Sequence, residues 1–239
     1  MSTLNAIILG LVQGLAEFLP ISSSGHLVLA QNLFGLSGGE EYVVFDILLH
    51  VGTLVSVFVF YWRDVVELIK TFFGIIGDLF KGRLDIKTGK RNFLAMLVVA
   101  TLPLGLALIF KSKVEAAFSR PWFVGVALLF TGVILYITDK IRIGELNEDT
   151  GKYRSALSVG IFQLIAVFPG VSRSGLTIFG GLIAGFKKET AVKLSLLLSV
   201  IAVLGAAAAS VPDVIHGEGL SVGVIPCLHN AFDSFFTPA

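Results

Sequence analysis

Two short polar clusters interrupt an otherwise apolar chain, and their side chains are suited to the chemistry of a phosphate group. The first cluster consists of Gln13, Glu17, Ser22, Ser23, Ser24, Gly25 and His26. The second consists of Ser172, Arg173, Ser174, Gly175 and Thr177. Ionisable residues in apolar segments are costly, so a functional site is the default interpretation of both clusters.

The second cluster indicates an anion site. Arg173 carries a permanent charge, and its planar fork can bind two phosphate oxygens. Each cluster lies where a new helix is expected to begin, and helix N-termini present unpaired N–H groups and partial positive charge. Gly25 and Gly175 allow the backbone to approach a ligand closely. The hydroxyls expected to donate hydrogen bonds to a bound phosphate belong to Ser22, Ser24, Ser172, Ser174 and Thr177.

The first cluster supplies the acid and base groups. Glu17 would repel a phosphate, so we interpret it as a ligand of a divalent cation, Mg²⁺ or Ca²⁺, with Gln13 contributing a neutral oxygen from the same helix face. His26 is a candidate general acid or base. Ser23 is a candidate nucleophile or phosphate contact. We expect Glu17 and Arg173 to meet around one diphosphate.

Each of these residues also has a purely structural interpretation. Arg173 could extend to the membrane interface, and Glu17 could be a protonated acid that links two helices. His26 could be a packing residue, and serines at helix starts commonly act only as caps. His50 is interpreted as a packing residue or as a support for the site.

An internal repeat relates the two clusters. At an offset of 150 residues, nine positions are identical without a gap, whereas chance would give about two. The identical pairs are Ala6/Ala156, Gly10/Gly160, Gln13/Gln163, Ala16/Ala166, Phe18/Phe168, Ser22/Ser172, Ser24/Ser174, Gly25/Gly175 and Gly35/Gly185. In this register Ser23 is the equivalent of Arg173. The copies are similar in shape and different in chemistry.

Composition places both copies in a membrane. The chain has 239 residues, of which 55% are hydrophobic and 15% charged, and its mean hydropathy is +0.88. These values exclude an ordinary soluble domain. A net charge of +1 argues against a nucleic-acid partner. A single cysteine, Cys227, excludes a disulfide within the chain.

The two clusters are expected to lie in re-entrant hairpins. The first hairpin is formed by Leu4–Leu19 and Ile21–Leu36, and the second by Ala156–Phe168 and Ser172–Phe186. Each helix is shorter than the roughly 20 residues that a bilayer crossing requires. Broken helices of this kind are tolerated where protein or a cavity surrounds the break.

About four full spans are expected around the hairpins, giving an all-α, polytopic membrane protein. The predicted spans are Tyr42–Trp62, Phe93–Phe110, Pro121–Thr138 and Ala191–Val211. The predicted connections are a short or interfacial helix over Val65–Phe80, a basic cytoplasmic loop over Lys81–Arg91, a short outer loop over Lys111–Arg120 and a cytoplasmic charged segment over Asp139–Arg154.

Three of these spans separate the two hairpins, so the hairpins enter from opposite faces of the membrane. This arrangement is an inverted-topology repeat, whose sites usually lie where the halves meet. We expect one membrane domain over residues 1–239, with repeats over about 4–110 and 121–211. The residues 212–239 are expected to form an atypical, poorly ordered tail.

These motifs resemble the undecaprenyl-diphosphate phosphatases, also called bacitracin resistance proteins. The segments that carry the resemblance are Glu17–His26 and Pro169–Thr177. It implies an integral membrane hydrolase that converts a C55 polyprenyl diphosphate to the monophosphate and so recycles the carrier for peptidoglycan synthesis, cell wall biogenesis and cell shape. It further implies Mg²⁺ or Ca²⁺ and a site facing outward from the bacterial plasma membrane. Carried over by position, the catalytic set is Glu17, His26, Ser172, Arg173 and Thr177.

Two features depart from the family pattern. Gln13 stands where the family often has glutamate, which removes one negative metal ligand. Family members also continue through two further spans after the position of Val211, which the resemblance implies are missing here. The sequence leaves a homodimer open.

A transporter or polyprenyl-phosphate flippase is the rival class, because inverted repeats with broken helices are typical of transporters. The combination of Glu17, His26, Arg173 and a serine cluster is more than anion passage requires, which favours an enzyme. A scaffold without activity is third, because it would not offset the cost of the charged residues.

Overall fold

The computed structural model describes residues 2–36, 40–82 and 89–215, and these ranges are almost entirely helical. Their elements are α1 (Thr3–Phe18), α2 (Ser23–Leu33), α3 (Glu40–Phe60), α4 (Trp62–Phe80), α5 (Gly89–Thr101), a 3₁₀ segment (Leu102–Phe110), α6 (Lys111–Phe118), α7 (Pro121–Lys140), α8 (Tyr153–Ile165), α9 (Arg173–Ile183) and α10 (Lys188–Ile215). Extended pairing in these ranges is confined to one bridge between Leu146 and Phe186. The predicted all-α class is confirmed.

Both predicted hairpins are present as pairs of short helices. The first pair, α1 and α2, has 16 and 11 residues, and the second pair, α8 and α9, has 13 and 11. At 1.5 Å per residue none of the four reaches across a bilayer core. Pro20 lies in the first break and Pro169 in the second, where a missing N–H disrupts no helical hydrogen bond.

The polytopic membrane character is also confirmed. Among the described residues, Gly89–Ala107 and Pro121–Lys140 are long and apolar enough to span, and a third span results if Leu48–Phe60 and Trp62–Phe80 are counted together. Helices α3 and α10 occupy the positions predicted for the remaining spans. Large apolar side chains such as Leu33 and Phe80 are more than 85% exposed, as lipid-facing residues are. The opposite membrane orientation of the hairpins stays a prediction.

Three local predictions need correction. The predicted outer loop Lys111–Arg120 is mostly helix α6. Its charged residues indicate exposure to water, but charged residues do not prevent helix formation. The span predicted over Phe93–Phe110 changes from α to 3₁₀ at Leu102, since the ring of Pro103 does not fit an α-helical interior. The predicted tail begins later than Pro212, because α10 continues to Ile215. Residues 83–88 and 216–239 lie outside the described ranges, and with them most of that tail.

The main core holds the second hairpin against α5 and α10. Its largest fully buried side chains include Phe93, Met96, Phe186 and Leu194. Gly160 of α8 permits this packing, since a Cβ there would lie 2.5 Å from the carbonyl oxygen of Ala100 on α5. The second hairpin is therefore held on two sides, by α5 and by α10.

Candidate active site

The break of the first hairpin is a strained turn. Ser22 has φ 73° and ψ 91°, and no other non-glycine residue in the described ranges has a positive φ. Its hydroxyl caps α2 by accepting from the N–H of Gly25 at 3.3 Å. Its carbonyl accepts from the ring Nδ1 of His26 at 2.8 Å. Strained backbone of this kind costs about 1–3 kcal/mol and is concentrated at functional sites.

The break of the second hairpin has the same cap on a relaxed backbone. Ser172 has φ −71° and accepts from the N–H of Gly175 at 3.1 Å. Thr131 of α7 braces the turn, since its hydroxyl donates to the carbonyl of Gly170 at 2.9 Å and accepts from the N–H of Ser172 at 3.0 Å. The left-handed conformation at this turn, φ 87°, falls on Gly170, which adopts it without steric cost.

The two turns interlock through glycines. A Cβ on Gly25 would lie 2.9 Å from the Cα of Gly170, and a Cβ on Gly175 would lie 3.0 Å from the carbonyl oxygen of Pro20. Contacts this short leave no room for a side chain. Gly25 and Gly175 were predicted to open the backbone to a ligand; the structure gives them the additional role of bringing the hairpins together.

Glu17 connects the two hairpins through an ion pair and hydrogen bonds. Its Oε1 accepts from Nη2 of Arg173 at 2.9 Å. Its Oε2 accepts from the Ser23 hydroxyl at 2.6 Å and from Nε2 of Gln13 at 3.0 Å. Nε2 of His50 lies 3.9 Å from the same oxygen. The expected meeting of Glu17 and Arg173 is confirmed.

This ion pair is partly withdrawn from solvent. The Glu17 side chain is 12% exposed and that of Arg173 is 27% exposed. At such sites the mutual attraction is stronger than at a free surface, and removing one partner leaves an uncompensated charge. The remaining exposure of Arg173 leaves room for a phosphate to approach its guanidinium.

The other predicted residues surround this centre at different depths. Ser24 lies 3.4 Å from Ser22 between hydroxyl oxygens, and Ser174 lies 3.3 Å from Ser172. Thr177 is 1% exposed, and its hydroxyl contacts the carbonyl of Arg173 and the hydroxyl of Ser195 on α10. In this arrangement Thr177 supports the backbone of Arg173, and its predicted contact with substrate stays a prediction.

The oxygen ligands near Glu17 are too few to hold a divalent cation unless the substrate supplies further ligands to the same ion. Gln13 is fully buried, and its Oε1 has no hydrogen-bond partner in the structure. The described ranges contain no group of three or more His, Cys, Asp or Glu residues placed to hold a metal. Mg²⁺ commonly takes one or two carboxylates and completes its shell with substrate phosphates and water. One carboxylate and one orphan amide oxygen fit that pattern.

Three residues of this region did not emerge from the sequence as parts of the site. His50 offered one signal, an ionisable side chain in an apolar segment, and it was interpreted as a packing or supporting residue. Thr131 and Ser195 offered none, because hydroxyls are common in membrane helices and these two lie far from the motifs. Their role depends on which helix packs against which hairpin.

Fold and site together define a polytopic membrane protein with an acid, a serine and an arginine gathered between two interlocked re-entrant hairpins. Comparison with known proteins gives the family. The model of the bacitracin resistance protein BacA family matches residues 6–236, which include positions after Val211. This chain belongs to that family.

Several curated relatives carry an enzyme name. The undecaprenyl-diphosphatase of Methanosphaera stadtmanae is 44% identical over 218 residues, which cover 88% of this chain and 78% of that protein. The undecaprenyl-diphosphatase of Alkaliphilus metalliredigens is 43% identical over 219 residues, covering 90% and 79%. The undecaprenyl-diphosphatase 1 of Shouchella clausii is 40% identical over 223 residues, covering 92% and 78%.

Proposed function

We propose that this protein hydrolyses undecaprenyl diphosphate to undecaprenyl phosphate and inorganic phosphate. The observation that carries the proposal is the contact of Glu17 with Ser23 of its own hairpin and with Arg173 of the other hairpin. That arrangement supplies a cation for the phosphate, a hydroxyl to attack it and a base for the hydroxyl proton. The names of the relatives support the same substrate.

In the first step Ser23 attacks the terminal phosphorus. Its hydroxyl already donates to Glu17 Oε2 at 2.6 Å, so Glu17 accepts the proton as the new O–P bond forms. The bond from this phosphorus to the bridging oxygen breaks, and undecaprenyl phosphate leaves. Arg173 binds the equatorial oxygens of the transferred phosphoryl group, where the charge is spread in the transition state.

In the second step water releases the phosphate. His26 donates from Nδ1 to the Ser22 carbonyl, so its lone pair is on Nε2, as a general base requires. His26 takes a proton from the water that attacks phosphorus, the Ser23 O–P bond breaks, and the Glu17 proton returns to the serine oxygen. His26 then releases its proton to solvent, and inorganic phosphate and the free serine are the products.

We further propose that Glu17 and the orphan Oε1 of Gln13 hold Mg²⁺ or Ca²⁺ jointly with the diphosphate. A bound cation neutralises negative charge on the phosphate oxygens. The contact of Glu17 with Gln13 is the one that would rearrange, since the amide must turn its Oε1 toward a cation on this carboxylate, whereas the Ser23 contact used in the first step would be kept.

The same proposal places the protein in the plasma membrane with its site open to the outer face. The excess of lysine and arginine in Lys81–Arg91 supports a cytoplasmic position for that loop. Recycling of the lipid carrier for peptidoglycan synthesis, and with it bacitracin resistance, follows from the activity. A homodimer stays a prediction.

Phosphate release tests the activity directly. The full chain, purified in detergent, is expected to release inorganic phosphate from undecaprenyl diphosphate and farnesyl diphosphate. EDTA is expected to abolish the release, and Mg²⁺ or Ca²⁺ to restore it. Protein that moves polyprenyl phosphate across vesicles without releasing phosphate would support the flippase alternative and contradict the proposal.

A trapping experiment tests the role of Ser23. Rapid acid quenching with β-³²P-labelled substrate is expected to label the wild-type protein on Ser23, and Ser23→Ala is expected to lower kcat by about a thousandfold or more. Ser56→Ala is the control, since its exposed hydroxyl only bonds to Gly52 within α3. A Ser23→Ala protein with normal kcat contradicts serine attack and points to water as the direct nucleophile.

A further inference from the structure

A second polar site lies on α4, away from the hairpins. The axis of α4 turns by 84° from that of Leu48–Phe60. With α3 as the span that the sequence predicts over Tyr42–Trp62, this turn directs α4 along the membrane surface. None of the α4 side chains is fully buried, and Trp62, Phe72, Phe73 and Phe80 are at least half exposed. These features are typical of an amphipathic helix at the lipid–water interface.

A pocket of about 380 Å³ opens beside the polar face of this helix. Its lining consists of Glu67, Lys70, Thr71, Gly74, Lys90 and Arg91. Thr71 lies four residues after Glu67 and Gly74 three after Thr71, and Lys70 lies three after Glu67, so these side chains form one stripe along the helix. Phe72, Phe73 and Phe80 fall on the opposite side of the helical wheel. A molecule in the pocket would therefore contact polar groups while lying next to an apolar, lipid-facing surface.

The charges of the lining favour an anion. Oε2 of Glu67 lies 3.0 Å from Nζ of Lys90. That ammonium also lies 3.5 Å from Asp64 and 3.9 Å from Glu148, so the charge of Lys90 is already shared among three acids. Arg91 is paired with Asp78, whose Oδ2 lies 2.5 Å from Nη2. Lys70 makes no ion pair with another residue of the described ranges. The Lys70 ammonium is therefore the basic group of the lining that remains for a ligand, whereas the Thr71 hydroxyl already donates to the Glu67 carbonyl at 2.7 Å.

We propose that this pocket binds the phosphodiester headgroup of an anionic phospholipid. The single negative charge of a phosphodiester suits the one lysine of the lining, Lys70, that forms no ion pair within the described ranges. The interfacial position of α4 puts the pocket at headgroup depth, and basic pockets between membrane helices are known to select such headgroups. The acyl chains would follow the exposed aromatic face. This site is independent of the diphosphatase reaction at Glu17.

Two glycines of α4 allow a matched steric test. A Cβ on Gly74 would contact nothing within 4 Å, so a larger side chain there extends into the pocket without disturbing the helix. Gly77 is equally free of neighbours and lies outside the lining. Replacing either glycine by leucine has the same intrinsic effect on the helix, and only the first replacement fills the site.

Native mass spectrometry of the full chain in zwitterionic detergent tests the proposal. Phosphatidylglycerol is expected to stay bound at concentrations where phosphatidylcholine does not. Lys70→Gln is expected to weaken phosphatidylglycerol binding about fivefold, the loss expected for one basic residue near an anionic surface. Gly74→Leu is expected to weaken it at least as much. Gly77→Leu and Lys113→Gln, on α4 and α6, are expected to bind like the wild type.

Three outcomes would overturn the proposal. Equal retention of phosphatidylglycerol and phosphatidylcholine would show that the pocket does not distinguish an anionic headgroup from a zwitterionic one. Equal weakening by the control replacements shows that binding is not at the pocket. Competition by inorganic phosphate at the same concentration as the lipid identifies a free-anion site in place of a lipid site. Lys70→Gln changes only a surface side chain, so it provides the answer even if Gly74→Leu fails to fold.

Discussion

The two hairpins have the same backbone plan and opposite chemistry. Each ends its first helix before a proline and caps its second helix with a serine that accepts from a glycine N–H three residues later. The first hairpin then presents Glu17, Ser23 and His26, whereas the second presents Arg173. Repeat register aligns Ser23 with Arg173, so the proposed nucleophile and the proposed phosphate-binding arginine occupy equivalent positions.

The hairpins also differ in how their turns are supported. The second turn places its positive φ on Gly170 and is braced by Thr131, whereas the first places a positive φ on Ser22. The two copies of the scaffold thus differ in role. The second is a rigid half that positions Arg173, and the first is a strained half that positions Glu17 and Ser23. The following predictions test that division.

The largest effect is expected at the contact between the halves. Arg173→Ala is expected to lower kcat/KM by about a thousandfold or more, because no other group there supplies a forked cation to the phosphoryl oxygens. Arg173→Lys keeps the charge without the fork and is expected to recover only part of the loss. Val167→Ala, at the position equivalent to Glu17 in the second hairpin, is expected to remain active. Phosphate release measures all three.

A loss of stability in Arg173→Ala would also lower activity. A double variant separates this effect from the loss of a catalytic group. Removing Arg173 leaves the Glu17 carboxylate with 12% exposure and without its cation, at a cost of about 3–5 kcal/mol. Glu17→Gln combined with Arg173→Ala is expected to regain stability in SDS titration and to stay inactive. Recovery of both stability and activity would show that the pair is structural only.

The next largest effect is expected at the brace of the second hairpin. Thr131→Val keeps the shape but leaves the Gly170 carbonyl and the Ser172 N–H unpaired in a buried turn. The free energy of unfolding is expected to fall by about 2–4 kcal/mol. Thr138→Val on the same helix is the control, since its hydroxyl bonds within α7 to Ile134. Equal losses at both positions would show that the brace has no special role.

Much of this architecture was accessible from the sequence, because short apolar helices, prolines and the repeat register all carry local signals. The presence of both hairpins and the meeting of Glu17 with Arg173 followed from them, while the predicted helix ends differ from the observed ones by one to three residues. Charge patterns were less informative about backbone, as α6 shows where a loop was expected over Lys111–Arg120. Charge reports exposure, and helix formation depends on the absence of breakers.

What the sequence could not supply is the set of contacts made between elements distant along the chain. Thr131 reaches the second turn only because α7 packs beside it, and His50 reaches Glu17 only because α3 packs beside α1. The strain at Ser22 was equally hidden, since Ser22 and Ser172 stand in identical register positions. Tertiary packing determines which of two equivalent serines takes the left-handed conformation.

His50 gives a smaller test on the side of the first hairpin. His50→Leu is expected to lower kcat about tenfold with little change in KM, because it removes a polar neighbour that helps to orient Glu17 and not a contact to substrate. His50→Gln retains an N–H donor and is expected to keep most of the activity. Steady-state kinetics with farnesyl diphosphate separates the two parameters. A rise in KM alone, or equal losses in both variants, contradicts a positioning role.

The smallest effect is the most specific to the comparison, because it has opposite signs in the two halves. Ser22→Gly relieves the strain of a positive φ. It also removes the capping hydroxyl, but glycine at an N-cap costs only a few tenths of a kcal/mol. The variant is therefore expected to be up to about 1 kcal/mol more stable. Ser172→Gly relieves nothing, since φ is −71°, and adds freedom to the unfolded chain. It is expected to be less stable by about 1 kcal/mol.

Thermal unfolding of both variants in one detergent measures the difference between them. If strain at Ser22 also orients Ser23 toward Glu17, the more stable Ser22→Gly protein is expected to be the slower enzyme, because the relaxed turn no longer fixes the 2.6 Å contact. A Ser22→Gly protein that is both more stable and fully active would show that the strain is incidental. A shift of the same sign at both serines would show that the two turns are supported alike, and the proposed division between a rigid and a strained half would then fail.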